Sequence, residues 1–200
     1  MTSFNNRLQT ELQLAKKKVG KRKWKSFTTA EICAKVVQPM TKKAGTAYYL
    51  FLLSLDSNAP RHIQPATHFV SHAWKYPFSS VVETLIQFGE SHPGAHFWFD
   101  LFMNDQNNAA NLPQEWWSTT FKEAIAGIGH TLLLFSPWND PIPMTRAWCL
   151  FEMNHTIDSK TCKMDILLPE KERQALKEAV IEDPDAAQKV LRDVDAERAE

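Results

Sequence analysis

Hydrophobic and polar positions change rhythm near residue 66. From there on, short apolar runs alternate with segments of helical period. Thr67–Ala73 (THFVSHA), Ala95–Leu101 (AHFWFDL), His130–Ser136 and Lys163–Leu168 have the length and the β-branched and aromatic content of strands. Between them lie helical patterns. The first carries Val82, Leu85, Ile86 and Gly89 behind a cap at Ser79 or Ser80. The second opens after Pro113, carries Trp117, Phe121, Ala124, Ile125 and Ile128, and ends at Gly129. Glu170–Ile181 follows the break at Pro169, and Asp183-Pro184 caps a last helix that still runs at Glu200. Alternation of this kind predicts a mostly parallel sheet with helices on both faces.

The segment before residue 61 has a different texture. Leu8, Leu12 and Ala15 keep helical step, and Lys16–Lys25 (KKKVGKRKWK) holds seven basic residues in ten. That run reads as a solvated basic arm, a nuclear-type signal, or a patch for phosphates or anionic lipid. Thr28, with Glu31 three residues on, forms a capping-box signal for a helix from Ala30 to about Val37, which Pro39 stops. Lys42–Leu55 reads as a helix, although AYYLFLLSL is aromatic enough for a strand. Asp56–Pro65 is a loop and the expected boundary. The expected organisation is a basic, helical extension over 1–60, an α/β domain over 61–168 and C-terminal helices over 169–200.

Right-handed crossovers put the carboxyl ends of all strands on one edge, where open α/β sheets bind ligands. Ser71, His72 and Trp74 end or follow the first strand, Asp100 is near the end of the second, and Ser136 and Trp138 end or follow the third. Beyond a loop with three prolines (SPWNDPIP) comes TRAWCLFEMN. As a helix, it places Leu150, Met153 and Ile157 on one apolar stripe. Glu152 lies on the opposite face, one turn from Trp148 and beside Cys149 and His155.

Composition adds bounds. The formal net charge is zero and 44% of residues are hydrophobic, so nothing pulls the whole chain toward nucleic acid or a membrane. No run approaches a membrane span, and the N-terminus lacks the apolar core of a secretory signal. Three sparse cysteines (Cys33, Cys149 and Cys162) argue for a reducing compartment. The expected location is cytoplasmic, with the nucleus left open by the basic run.

A lone carboxylate among aromatics suits glycosidic chemistry that passes through an oxocarbenium-like transition state, and the same group can hold ribose hydroxyls. Trp74 suits stacking on a nicotinamide or adenine ring. Arg146 is a phosphate contact, a surface cation or a partner of Asp140. Cys149 is an inert core thiol or a nucleophile with His72 or His155 as base. His68 and His72 share a strand face but lie about 13 Å apart at roughly 3.3 Å per residue, too far to share a metal, and no metal site is expected. There is no GxGxxG and no Walker loop.

The order of strand FVSH, helix, strand ending in Asp, helix, strand LLLFSPW and then WCxxE on a helix resembles the TIR domain, over roughly residues 66–168. The WCxxE match is Trp148, Cys149 and Glu152. Phe69 to His72 resemble the family's opening motif, whose loop borders the nucleotide site. The second strand region is also similar to a stretch of fungal heterokaryon-incompatibility domains, through Trp98, Asp100, Asn104, Asp105 and Gln106. The resemblance implies a flavodoxin-like α/β domain, with NAD as substrate rather than cofactor. It implies cleavage of the nicotinamide–ribose bond by Glu152. Trp148 and Cys149 then wall the site, with Ser71, His72, Trp74, Asp100 and Arg146 as nucleotide contacts. It equally implies self-association, and many members are signalling modules without turnover. A hydrolase acting on another nucleotide would use the same edge.

Overall fold

A computed structural model of the chain describes residues 26–55, 63–183 and 185. The expected helix over 1–15, the basic run 16–25, most of the loop after Leu55 and the last helix lie outside the described residues. Four strands form one parallel sheet, β1 (His68–Ser71), β2 (Phe97–Trp98), β3 (His130–Leu134) and β4 (Lys163–Leu167), in the order β2-β1-β3-β4. This is a flavodoxin-like α/β arrangement, as the alternation predicts. No helix among the described residues is long and apolar enough to cross a membrane.

The chain divides into two compact units. One comprises Met1–Thr67 with Trp74–Thr119, the other His68–Ala73 with Thr120–Glu200.

In the first unit, α1 starts at Thr29–Ile32, widens into a π-helical turn at Cys33–Val37 and finishes as Gln38–Thr41. Thr28 and Glu31 make the expected capping box: the Thr28 hydroxyl accepts from the Glu31 N–H, and the Glu31 carboxylate accepts from the Thr28 N–H. Pro39 does not stop this helix. The preceding turn is already opened, with the Gln38 N–H reaching back to the Cys33 carbonyl, so a ring without an N–H is accommodated. The expected helix in 42–55 is present as α2 (Tyr48–Leu55). Next comes α3 (Phe78–Ser91), which begins before the two serines expected to cap it. Pro77 is its cap, with a preset φ and a carbonyl that accepts from Ser80 and Val81. Strand β2 is shorter than the pattern predicts, because Asp100 opens a one-turn helix, α4 (Asp100–Met103). Phe78 stacks on Phe99, and Phe102 sets its edge against both.

In the second unit, β1 and β3 pair with Phe69 beside Thr131 and Ser71 beside Leu133. Strands β3 and β4 pair with His130 beside Lys163 and Leu134 beside Leu167. The central β3 is buried from Thr131 onward, as its unbroken apolar run requires. The helix α5 (Gln114–Ile128) brings Phe121 and Ile125 into this core, with Phe121 edge-on to Phe69. Gly129 ends it at φ +74°, its N–H bonded to the Ile125 carbonyl. After β3, a short 3₁₀ turn (Ile142–Thr145) drops Met144 against Leu133 and Phe135. Then come α6 (Ala147–Asp158), β4 and α7 (Glu170–Glu182).

Candidate functional site

The helix α6 carries the site. Leu150 and Met153 pack against the cluster of Leu133, Phe135 and Met144, but Ile157, expected on the same stripe, is 65% exposed. The buried positions are instead Cys149, Glu152 and Thr156. This corrects the expected facing of Glu152: its side chain turns inward and is 6% exposed. An ionised carboxylate is costly to bury unless donors meet it. Here the hydroxyl of Ser71, the last residue of β1, donates to Glu152 Oε2. That hydrogen bond offsets part of the cost of burying the group. The one carboxylate in α6 before its final residue is therefore held at the carboxyl end of a parallel strand.

The same helix carries part of an aromatic cluster. Trp148 is 37% exposed, and its ring lies 5.9 Å from Phe121 and 5.5 Å from Phe151. Phe151 continues edge-on to His155 at 4.2 Å. Arg146 stands at the N-cap of α6, half-buried, with an extended backbone. Cys149 is buried. His72, one residue past β1, is also buried, and burial pushes its imidazole down to about 3, so the ring is neutral at physiological pH. A ring in that state is a poor general base. Beneath the helix, Thr156 Oγ1 donates to the Glu152 carbonyl at 2.8 Å and sits 2.8 Å from Thr131 Oγ1 in β3. Neither threonine is singled out by the sequence: Thr131 sits in an apolar run like any β-branched core residue, and Thr156 sits among polar residues like a solvent position.

The other two predicted residues, Trp74 and Asp100, meet each other in the first unit. Trp74 Nε1 donates to Asp100 Oδ2 at 2.7 Å, and the Leu101 N–H donates to Oδ1 at 2.7 Å. Burial raises Asp100 to about 6, against the pull of those two donors. Gln106 donates to the Asp100 carbonyl at 2.9 Å and lies 3.8 Å from the Cys33 thiol, which burial and the Asp100 charge push up to about 11. The structure therefore pairs Ser71 with Glu152 and Trp74 with Asp100. Among the described residues, no three His, Cys, Asp or Glu side chains are grouped to hold a metal ion.

Compared with protein-family models, curated proteins and solved structures, the chain matches none of them.

Proposed function

We propose that this chain is a TIR-type domain that cleaves the nicotinamide–ribose bond of NAD, with Glu152 as its catalytic carboxylate. The observation that carries this reading is the buried Glu152 side chain. It sits in the helix that follows β3 and is hydrogen-bonded by Ser71 at the end of β1. The carboxyl edge of a parallel sheet is where this class of fold binds ligands. A carboxylate held there, one helical turn from the exposed Trp148, suits a reaction that builds positive charge on a ribose ring.

The chemistry follows from that charge. The bond between the anomeric carbon and the nicotinamide nitrogen breaks, and its electron pair leaves with the neutral nicotinamide. The ribose is left as an oxocarbenium-like cation, which the Glu152 carboxylate stabilises. Water then adds to the anomeric carbon and releases a proton. In a cyclising variant, a ring nitrogen of the same dinucleotide takes the place of water. Trp148 forms a wall against the flat leaving group.

The test is nicotinamide release from NAD by the purified protein, at micromolar and at higher concentrations, beside Glu152→Ala. Release that the variant abolishes supports the reading. Release by both proteins assigns the chemistry to another group. No release by either, with turnover of another nucleotide in a substrate panel, favours a different hydrolase.

A second reading is a self-association module without turnover, for which Ile157, Ile166 and Ile181 are exposed apolar side chains on three separate elements. It predicts concentration-dependent assembly that is unchanged in Glu152→Ala.

A further inference from the structure

Glu152 is held to the sheet twice, once through its side chain and once through its backbone. Ser71 of β1 donates to its carboxylate. Thr156, one turn further along α6, donates to its carbonyl at 2.8 Å. A hydroxyl has one hydrogen. With that of Thr156 committed to Glu152, the 2.8 Å contact between Thr131 and Thr156 has Thr131 as its donor. The chain of bonds thus runs from β3 through Thr131 and Thr156 to the Glu152 backbone, while β1 holds the carboxylate.

The register explains why two strands suffice. Ser71 is beside Leu133, and Phe69 is beside Thr131, so the two hydroxyls stand two positions apart along the sheet on one face. Two strand positions span about 6.6 Å. Glu152 and Thr156 are four positions apart on the helix, about 6 Å. The spacings match when α6 runs back along the strands, as a parallel crossover demands. Packing alone does not call for these hydroxyls. Thr131 and Thr156 are almost fully buried, and valine would fill the same space. An apolar contact between helix and sheet lets the helix slide. Two polar contacts at matched spacing fix one position along the strand axis.

We infer that Ser71, Thr131 and Thr156 are positioning residues that set where the Glu152 carboxylate stands. The inference rests on the catalytic reading above for its effect on turnover, and on the geometry alone for its effect on α6. A displacement of about 1 Å at a reacting group costs on the order of a hundredfold in rate, so the consequence falls on kcat.

The experiment compares Ser71→Ala, Thr131→Val, Thr156→Val and Thr156→Ser with the unaltered chain. It measures kcat and KM for nicotinamide release from NAD, and hydrogen exchange of the α6 amides. The expected result is a fall in kcat of about tenfold to a hundredfold in the first three, with KM within about threefold. Thr156→Ser, which keeps the hydroxyl, recovers most of the rate. Exchange in α6 quickens about tenfold in Thr156→Val, the equivalent of one lost buried hydrogen bond, and not in Thr156→Ser. The inference is overturned if Thr156→Val keeps its kcat, if Thr156→Ser is as slow as Thr156→Val, or if Ser71→Ala raises KM with kcat unchanged. The last outcome would make Ser71 a substrate contact. An unaltered chain that releases no nicotinamide sinks the catalytic reading instead. The exchange data then decide alone, and equal α6 exchange in Thr156→Val and the unaltered chain overturns the positioning.

Discussion

Trp74 Nε1 donates to Asp100 Oδ2 at 2.7 Å, so the indole meets one oxygen of a buried carboxyl group whose other oxygen takes the Leu101 N–H. Burial nevertheless dominates, and Asp100 holds its proton up to about 6 rather than the ordinary 3.8. The expected ligand contacts of these two residues are therefore, first, contacts with each other.

That raised value fixes a sign. The folded chain binds the Asp100 proton more tightly than the unfolded chain. The group's contribution is fully present below pH 3.8 and is lost as pH rises through about 6. Asp100→Asn removes the titration and leaves an acceptor for Trp74. The melting temperature of Asp100→Asn, relative to the unaltered chain, is expected to be higher at pH 7.5 than at pH 4. Thermal melts across that range check it, and a constant difference would refute it.

His72 has the opposite sign. Burial lowers it from 6.5 to about 3, so the unfolded chain takes up a proton that the folded one refuses. Its contribution is present above pH 6.5 and is lost as pH falls toward 3. His72→Gln should melt with a shallower loss between pH 7 and pH 5 than the unaltered chain, in the same buffers. Equal slopes would show that His72 is not what titrates.

Gly129 ends α5 at φ +74°, in open space where an added Cβ meets nothing within 4 Å. Gly129→Ala therefore isolates the backbone strain, without a clash. A left-handed residue with a Cβ costs roughly 1–2 kcal/mol. Urea unfolding should show a lower midpoint at an unchanged slope.

The capping box of α1 offers a simpler test. Thr28→Ala removes the acceptor for the Glu31 N–H and should cost about 1 kcal/mol. Glu31→Gln keeps an amide oxygen for the Thr28 N–H and should cost less. Chemical denaturation of the two variants side by side measures the difference.

Much of this architecture is legible in the sequence. The order of strands and helices follows from periodicity alone, and Thr28, Pro113 and Gly129 mark helix ends by their own chemistry. The placement of Glu152 on the helix after β3 is also read correctly. Its facing is not, because periodicity counts polarity and is blind to pairing. Glu152 and Thr156 look like solvent positions until Ser71 and Thr131 supply partners from strands more than twenty residues away. The same blindness affects Pro39, where a helix stop is expected and a π turn carries the helix through. At Asp100, the strand pattern runs on while the backbone has already turned into a helix, with the Leu101 N–H bonded to that side chain.

The π turn at Cys33–Val37 has a consequence for the ends of its helix. The start of α1 is gripped by the segment after β1: the Thr29 and Ala30 N–H groups donate to the Tyr76 and Trp74 carbonyls. Its end is gripped by the loop after α4: Gln38 donates to the Gln106 carbonyl, and Asn107 donates to Thr41. A regular helix joining two such clasps must arrive at the second one in phase. The widened turn acts as a one-residue insertion that absorbs a phase error. The same residues wound as a regular helix would add one helical step and turn the far clasp by about 100°. Gln38 and Thr41 would then face away from the loop that now holds them.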